Sequence, residues 1–151
     1  MNVGQICQRR VVMVRRTDDL ATAARLMREH HIGYLVVVEP SLEEAGFKPI
    51  GVLTDRDIVV SVVAREADPR MLRVEDVMTQ NPVTIMTEDS VTDALEQMRR
   101  IGVRRLPVVG YCGLLEGIVS LDDILAHMAR DFGNAADAIT RERAVETAVR
   151  P

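Results

Sequence analysis

Apolar positions in this chain follow two rhythms, and the same succession of rhythms occurs twice. Leu20, Ala23, Ala24 and Met27 are spaced i, i+3, i+4, i+7, and so are Val91, Ala94, Leu95 and Met98. That spacing places four side chains on one stripe, so it predicts helices beginning near Asp19 and Ser90 with their stripes in the core. Short β-branched runs surround them. Strands are predicted at 11–14, 34–39 and 50–53, and again at 83–86, 106–109 and 117–119. The longer runs are almost continuously apolar, which implies strands covered on both faces. A second helix closes each set, at 55–64 and at 121–130.

The two sets are copies. Moving the chain by 71 positions puts Asp18 on Asp89, Ala23 on Ala94, Met27 on Met98, Leu35 on Leu106, and Val37 and Val38 on Val108 and Val109. Later equivalents, such as Gly51 and Gly117, are 66 apart. The first copy therefore carries five extra residues within EPSLEEAGFKP (39–49), a proline- and charge-containing stretch that reads as a surface loop. The expected fold class is α/β (α+β), two β-α-β-β-α repeats at 1–66 and 67–130, linked through a polar stretch at 66–75. Each copy is too short to bury its apolar face alone, so the two should pack as a pseudo-two-fold pair acting as one domain. Residues 131–151 are alanine-rich and charged, with a weak stripe at Ile139, Val145 and Val149. They read either as a final helix packing on a partner or as a frayed tail.

One eight-residue stretch carries the candidate chemistry. GVLTDRDI (51–58) returns as GIVSLDDI (117–124). In each, an apolar strand ends on a hydroxyl, Thr54 or Ser120, and an aspartate follows three positions later, Asp57 or Asp123. This is a strand-to-helix junction with the hydroxyl at the N-cap. Two readings share that geometry. In one, hydroxyl and acid form a capping box and nothing more. In the other, the free N–H groups of the helix start receive a phosphate and the carboxylate accepts from ribose hydroxyls.

Composition narrows the alternatives. The chain has 151 residues, 47% hydrophobic but only 3% aromatic, with a net charge of −4. The acidic balance argues against nucleic acid as a partner. No apolar run approaches the roughly 20 residues of a membrane span, and the N-terminus lacks the apolar core of a signal peptide. The two cysteines, Cys7 and Cys112, make no metal spacing or disulfide framework, which suits a reducing, cytoplasmic setting. His30 and His31 are adjacent and lack a carboxylate or cysteine at metal-binding spacing. No nucleophile–base set and no glycine-rich phosphate loop is present, so an enzyme is not expected.

Taken together, VEDVMTQNPVTI (74–85), GVRRLPVV (102–109), HHIGYLVVVE (30–39) and the two G-x-x-[ST]-x-x-D-I junctions resemble a tandem pair of cystathionine-β-synthase-type (CBS) domains, the Bateman module, over residues 3–130. The resemblance implies a regulatory module without a required cofactor. Its ligand would be AMP, ADP, ATP, S-adenosylmethionine or sometimes NAD, bound in clefts between the copies, with any magnesium arriving on a polyphosphate. It also implies a homodimer and a separate regulated protein.

The resemblance assigns site residues unequally. In the second copy it points to Thr84, to Val103, Arg104, Arg105 and Pro107, and to Ser120 with the ribose-binding Asp123. In the first, Ile32, Gly33 and Tyr34 stand where the other copy has Val-Arg-Arg, beside Thr54, Arg56 and Asp57, and Met13 replaces the strand threonine. Guanidinium forks onto phosphate oxygens, so the second copy is expected to hold a phosphate-bearing ligand better, with Arg56 partly compensating in the first. The opposing expectation is a dimerisation or scaffold module with degenerate, non-binding clefts, which Met13 favours.

Overall fold

The computed structural model describes residues 1–150. Strand β1 (Met13–Arg15) leads into helix α1 (Leu20–His30), and strands β2 (Tyr34–Pro40) and β3 (Phe47–Thr54) follow. β1 lies parallel to β2, as a helical crossover requires, and β2 pairs antiparallel with β3 as a hairpin. Helix α2 (Asp55–Ile58) then runs into one π-helical turn, Val59–Val63, where the sequence suggests one regular helix over 55–64. A short helix α3 (Val74–Val77) and a two-residue strand β4 (Thr79–Gln80) open the second half. β5 (Ile85–Met86), helix α4 (Val91–Ile101), β6 (Arg105–Val109) and β7 (Leu115–Ser120) repeat the earlier order, and α5 (Leu121–Val149) closes it.

The helices start where the caps are. The Asp19 carboxylate accepts from the Thr22 N–H at 2.6 Å, and the hydrogen bonds from Thr22 hold its pKa below the usual carboxylate range. Ser90 and Asp93 form a reciprocal capping box at the start of α4. Leu20, Ala23 and Met27 of the α1 stripe are buried, as are Ala94 and Met98 of α4. Ala24 is exposed, and Val91 and Leu95 are half-buried. Both helices end left-handed, on Gly102 (φ 70) and on its equivalent His31 (φ 54). Glycine takes that conformation at little cost and histidine does not.

Two cores form rather than one, and each is completed by the other repeat. Val74 is buried with Val14, Leu20, Leu35 and Leu53, whereas Val3 is buried with Ile85, Leu106, Val119 and Ile124. The backbone follows the same exchange. β4 pairs with β3, Thr79 against Val52, and Gln8 bridges to Ile118 of β7. Gln8 and Thr79 are 71 apart and Val52 and Ile118 are 66 apart, so the two crossings are equivalent. The crossings also explain the glycines that open the junctions. A Cβ on Gly117 would lie 2.9 Å from both the Cys7 Sγ and the Gln8 carbonyl oxygen; one on Gly51 would lie 2.7 Å from the Met78 sulfur and 3.0 Å from the Thr79 oxygen.

The C-terminal segment is helical and continuous with the helix that closes the second repeat. α5 runs unbroken for 29 residues, about 44 Å at 1.5 Å per residue. From Met128 onward every described residue is exposed, including Phe132, Ile139, Val145 and Val149.

Candidate functional site: two clefts between the repeats

Both junctions form reciprocal capping boxes. The Thr54 Oγ1 accepts from the Asp57 N–H at 3.2 Å, and an Asp57 carboxylate oxygen accepts from the Thr54 N–H at 2.8 Å. Ser120 and Asp123 make the same two bonds at 3.1 and 3.0 Å. One oxygen of each aspartate is thereby committed to its own backbone. The second oxygens differ. Asp123 Oδ1 accepts from the Gln8 side-chain amide at 2.8 Å, while Asp57 Oδ1 has no hydrogen-bond partner among the described residues. The difference follows from the crossing strands, because the residue equivalent to Gln8 is Thr79, whose hydroxyl is shorter.

Each junction opens into a cleft whose far wall comes from the other repeat. The larger, about 650 Å³, holds Thr54, Arg56 and Asp57 opposite Val103, Arg104 and Arg105. The smaller, about 310 Å³, holds Ser120, Asp122 and Asp123 opposite Ile32, Gly33 and Tyr34. This arrangement corrects the assignment made from sequence for Val103 and Arg104, which were grouped with Ser120 and Asp123 of their own copy, whereas Arg105 lines both clefts. The exit of α4 faces the junction of the first repeat because the repeats pack about a pseudo-two-fold axis. Arg104 therefore lines the first junction's cleft, which has three arginines, Arg56, Arg104 and Arg105, where the second junction's cleft has Arg10 and Arg105. Thr84 and Pro107 line neither cleft. Thr84 is half-buried just before β5, and Pro107 is fully buried in β6 opposite Ile118.

The electrostatics follow the same asymmetry. The larger cleft contains Arg56, Arg104 and Arg105 against Asp55 and Asp57. The smaller contains Arg10 and Arg105 against Asp122 and Asp123. Tyr34 and Arg105 line both clefts and form the partition between them, with the Arg105 guanidinium carbon 5.9 Å from the centroid of the Tyr34 ring. The two residues are 71 apart, so they are repeat equivalents meeting across the axis. Burial pushes the Tyr34 phenol well above its ordinary range, and the Arg105 charge opposes that shift only in part. Arg104 reaches past the partition, donating to Asp122 at 3.0 Å. Sequence reasoning missed Gln8, Arg10, Thr79 and Asn81, which line the clefts from the crossing segments. Among the described residues, no group of three or more His, Cys, Asp or Glu side chains could hold a metal ion, and no helix is long and apolar enough to cross a membrane.

The twofold β-α-β-β-α order, the crossed arms and the paired junction clefts define a tandem-repeat module. The pattern of the CBS domain family matches residues 3–64 and 74–130, and the chain belongs to that family. An uncharacterised protein of Methanopyrus kandleri, MK0525, is 37% identical over 125 residues, covering 83% of this chain; the chain spans about three fifths of that relative, 61%. A hexameric CBS-CP12 protein from bloom-forming cyanobacteria superimposes with a TM-score of 0.71 at 28% identity, covering 98% of this chain and 87% of that one. The CBS domain pair of MJ0100, solved with 5'-methylthioadenosine and S-adenosyl-L-methionine, shares the fold with a TM-score of 0.71 at 24% identity over 85% of this chain and 99% of that one.

Proposed function

We propose that the chain is a regulatory module whose larger cleft binds a phosphate-bearing adenine nucleotide, AMP, ADP or ATP, and passes its occupancy to a separate protein. One observation carries this reading: Arg56, Arg104 and Arg105 converge on the same cleft as the unpartnered Asp57 oxygen. Arginine forks suit phosphate, and a free carboxylate oxygen suits a ribose hydroxyl. A 650 Å³ cleft is also of ordinary size for a small-molecule site. The capping role of Asp57 does not compete with this, because the cap uses only one of its oxygens.

The smaller cleft supports a different expectation. Both Asp123 oxygens are occupied and Asp122 is paired to Arg104, so this side offers a ligand fewer free polar groups. The ligand of MJ0100 supports an adenosyl compound such as S-adenosylmethionine as an occupant that this fold can accommodate. The mechanism is a population shift. A ligand touching both walls of a cleft favours one packing of the repeats over another in proportion to its differential affinity. Self-association belongs to the same reading, supported by the exposed Val59, Val60 and Val63 beside the first junction and by the hexameric assembly of the cyanobacterial relative. A homodimer in the cytoplasm, acting on a protein partner rather than on nucleic acid or membrane, is the form proposed.

Calorimetric titration with AMP, ADP, ATP and S-adenosylmethionine tests the proposal, with Asp57→Asn as the variant because asparagine preserves the cap. The expected result is binding of at least one phosphate-bearing nucleotide, weakened tenfold or more in the variant. Equal affinity in both proteins would remove Asp57 from the site. No binding by any of the four, together with an unmoved melting temperature, would leave the scaffold reading in its place.

A further inference from the structure

The partition between the clefts is built from charges that both clefts use. Arg105 lines the two of them and rests over Tyr34. Arg104 lines the larger cleft while its guanidinium is bound to Asp122 of the smaller one. Exact duplication would not produce this. The equivalents of Arg104 and Arg105 are Gly33 and Tyr34, and the equivalent of Asp122 is Arg56. The first repeat therefore contributes nothing cationic at the positions where the second contributes two arginines.

We propose that the clefts draw on this one pair of arginines, so that a phosphate-bearing ligand in the larger cleft disfavours a second in the smaller and leaves the smaller to an uncharged or cationic adenosyl ligand. The inference rests on the nucleotide reading of the larger cleft. A phosphate there attracts both guanidinium groups, because a bidentate phosphate contact is stronger than an exposed ion pair. Asp122 then loses its counter-charge. The smaller cleft retains Arg10 against Asp122 and Asp123, and its field turns against a second anion. A ligand with no phosphate, or with a net positive charge, does not meet that repulsion. Reciprocity requires the converse as well: an anion seated first in the smaller cleft weakens phosphate binding in the larger.

The test is calorimetry on the full chain with AMP and with adenosine, comparing wild type and Asp122→Asn. In the wild type AMP should bind in two steps, the second about tenfold weaker or beyond detection, while adenosine binds without that split. Asp122→Asn removes the uncompensated charge, so it should strengthen or restore the second AMP step about tenfold, while the first step, relieved only of competition for Arg104, strengthens by less. Two equal AMP sites in the wild type overturn the proposal while preserving the nucleotide reading. So does a split, or a single step, that Asp122→Asn leaves unaltered. Absence of AMP binding from both proteins overturns the proposal and the reading beneath it.

Discussion

The side-chain amide of Gln8 holds the carboxylate of Asp123 at 2.8 Å, although 115 residues separate them in sequence. This one bond marks the difference between the junctions, because Asp57 has no corresponding partner among the described residues. Replacing Gln8 by alanine should free the second oxygen of Asp123. The expected outcome is a gain in adenosine affinity at the smaller cleft of roughly threefold to tenfold, within the worth of one charge-assisted hydrogen bond. Calorimetric stoichiometry and affinity, measured against wild type, check it.

The glycines of the chain divide by what surrounds them. Gly117→Ala places a methyl group 2.9 Å from the Gln8 backbone carbonyl, which cannot rotate aside, so a loss of about 1–3 kcal/mol is expected. Gly133→Ala meets nothing within 4 Å and lies inside α5, so it should be neutral or stabilising by up to about 1 kcal/mol. Denaturant unfolding of the two variants should move the midpoint in opposite directions or move it for Gly117→Ala alone.

The exchanged arms predict matched costs at distant places. Val3 and Val74 are equivalent and fully buried, each in the core of the opposite repeat. Truncating either to alanine should cost about 2 kcal/mol. The N-terminal position makes Val3 the stricter case, since terminal residues are commonly dispensable. A Val3→Ala midpoint equal to wild type in urea would show that the arm is not part of the cooperative structure.

Tyr34 supplies a pH signature. Its pKa in the folded chain is raised, chiefly by burial, from an ordinary value near 10. The neutral phenol therefore stabilises the fold fully below about pH 10, and that contribution is lost as the pH rises beyond it. In a Tyr111→Phe background Tyr34 is the only tyrosine left of the two. Its phenolate absorbance should develop together with loss of the far-ultraviolet circular dichroism signal. Ionisation in a chain that remains folded would contradict the burial.

Much of the fold is legible in the linear pattern because period decides it. The stripes beginning at Leu20 and Val91 and the runs at 35–38 and 106–109 became helices and buried strands where their spacing placed them. The short pieces were not legible. Val3–Gln5, α3 and β4 hold two to four residues each, too few for any period, and they exist because they fill another repeat's edge. For the same reason Gly51 and Gly117 read as motif letters, when their smallness makes room for a segment from the far half of the chain. The length of α5 was hidden by the change to an alanine-rich, charged composition at residue 131, although the helix passes through it. At the clefts, residue types such as Arg104, Arg105, Thr54 and Asp57 were legible as candidates, but the partner of each was not. A repeat offset gives equivalence between positions and says nothing about which junction an exit faces.

The crossing of Gln8 over β7 and of Thr79 over β3 limits how the molecule can respond. Halves clasped at both edges cannot swing open about a hinge without breaking the β3–β4 pairing on one side and the Gln8–Ile118 bridge on the other. What remains available is shear, a small slide of one packed layer over the other. Under the proposed regulatory function, the output of such a slide would be a changed contour on the outer helices rather than the unveiling of an interior.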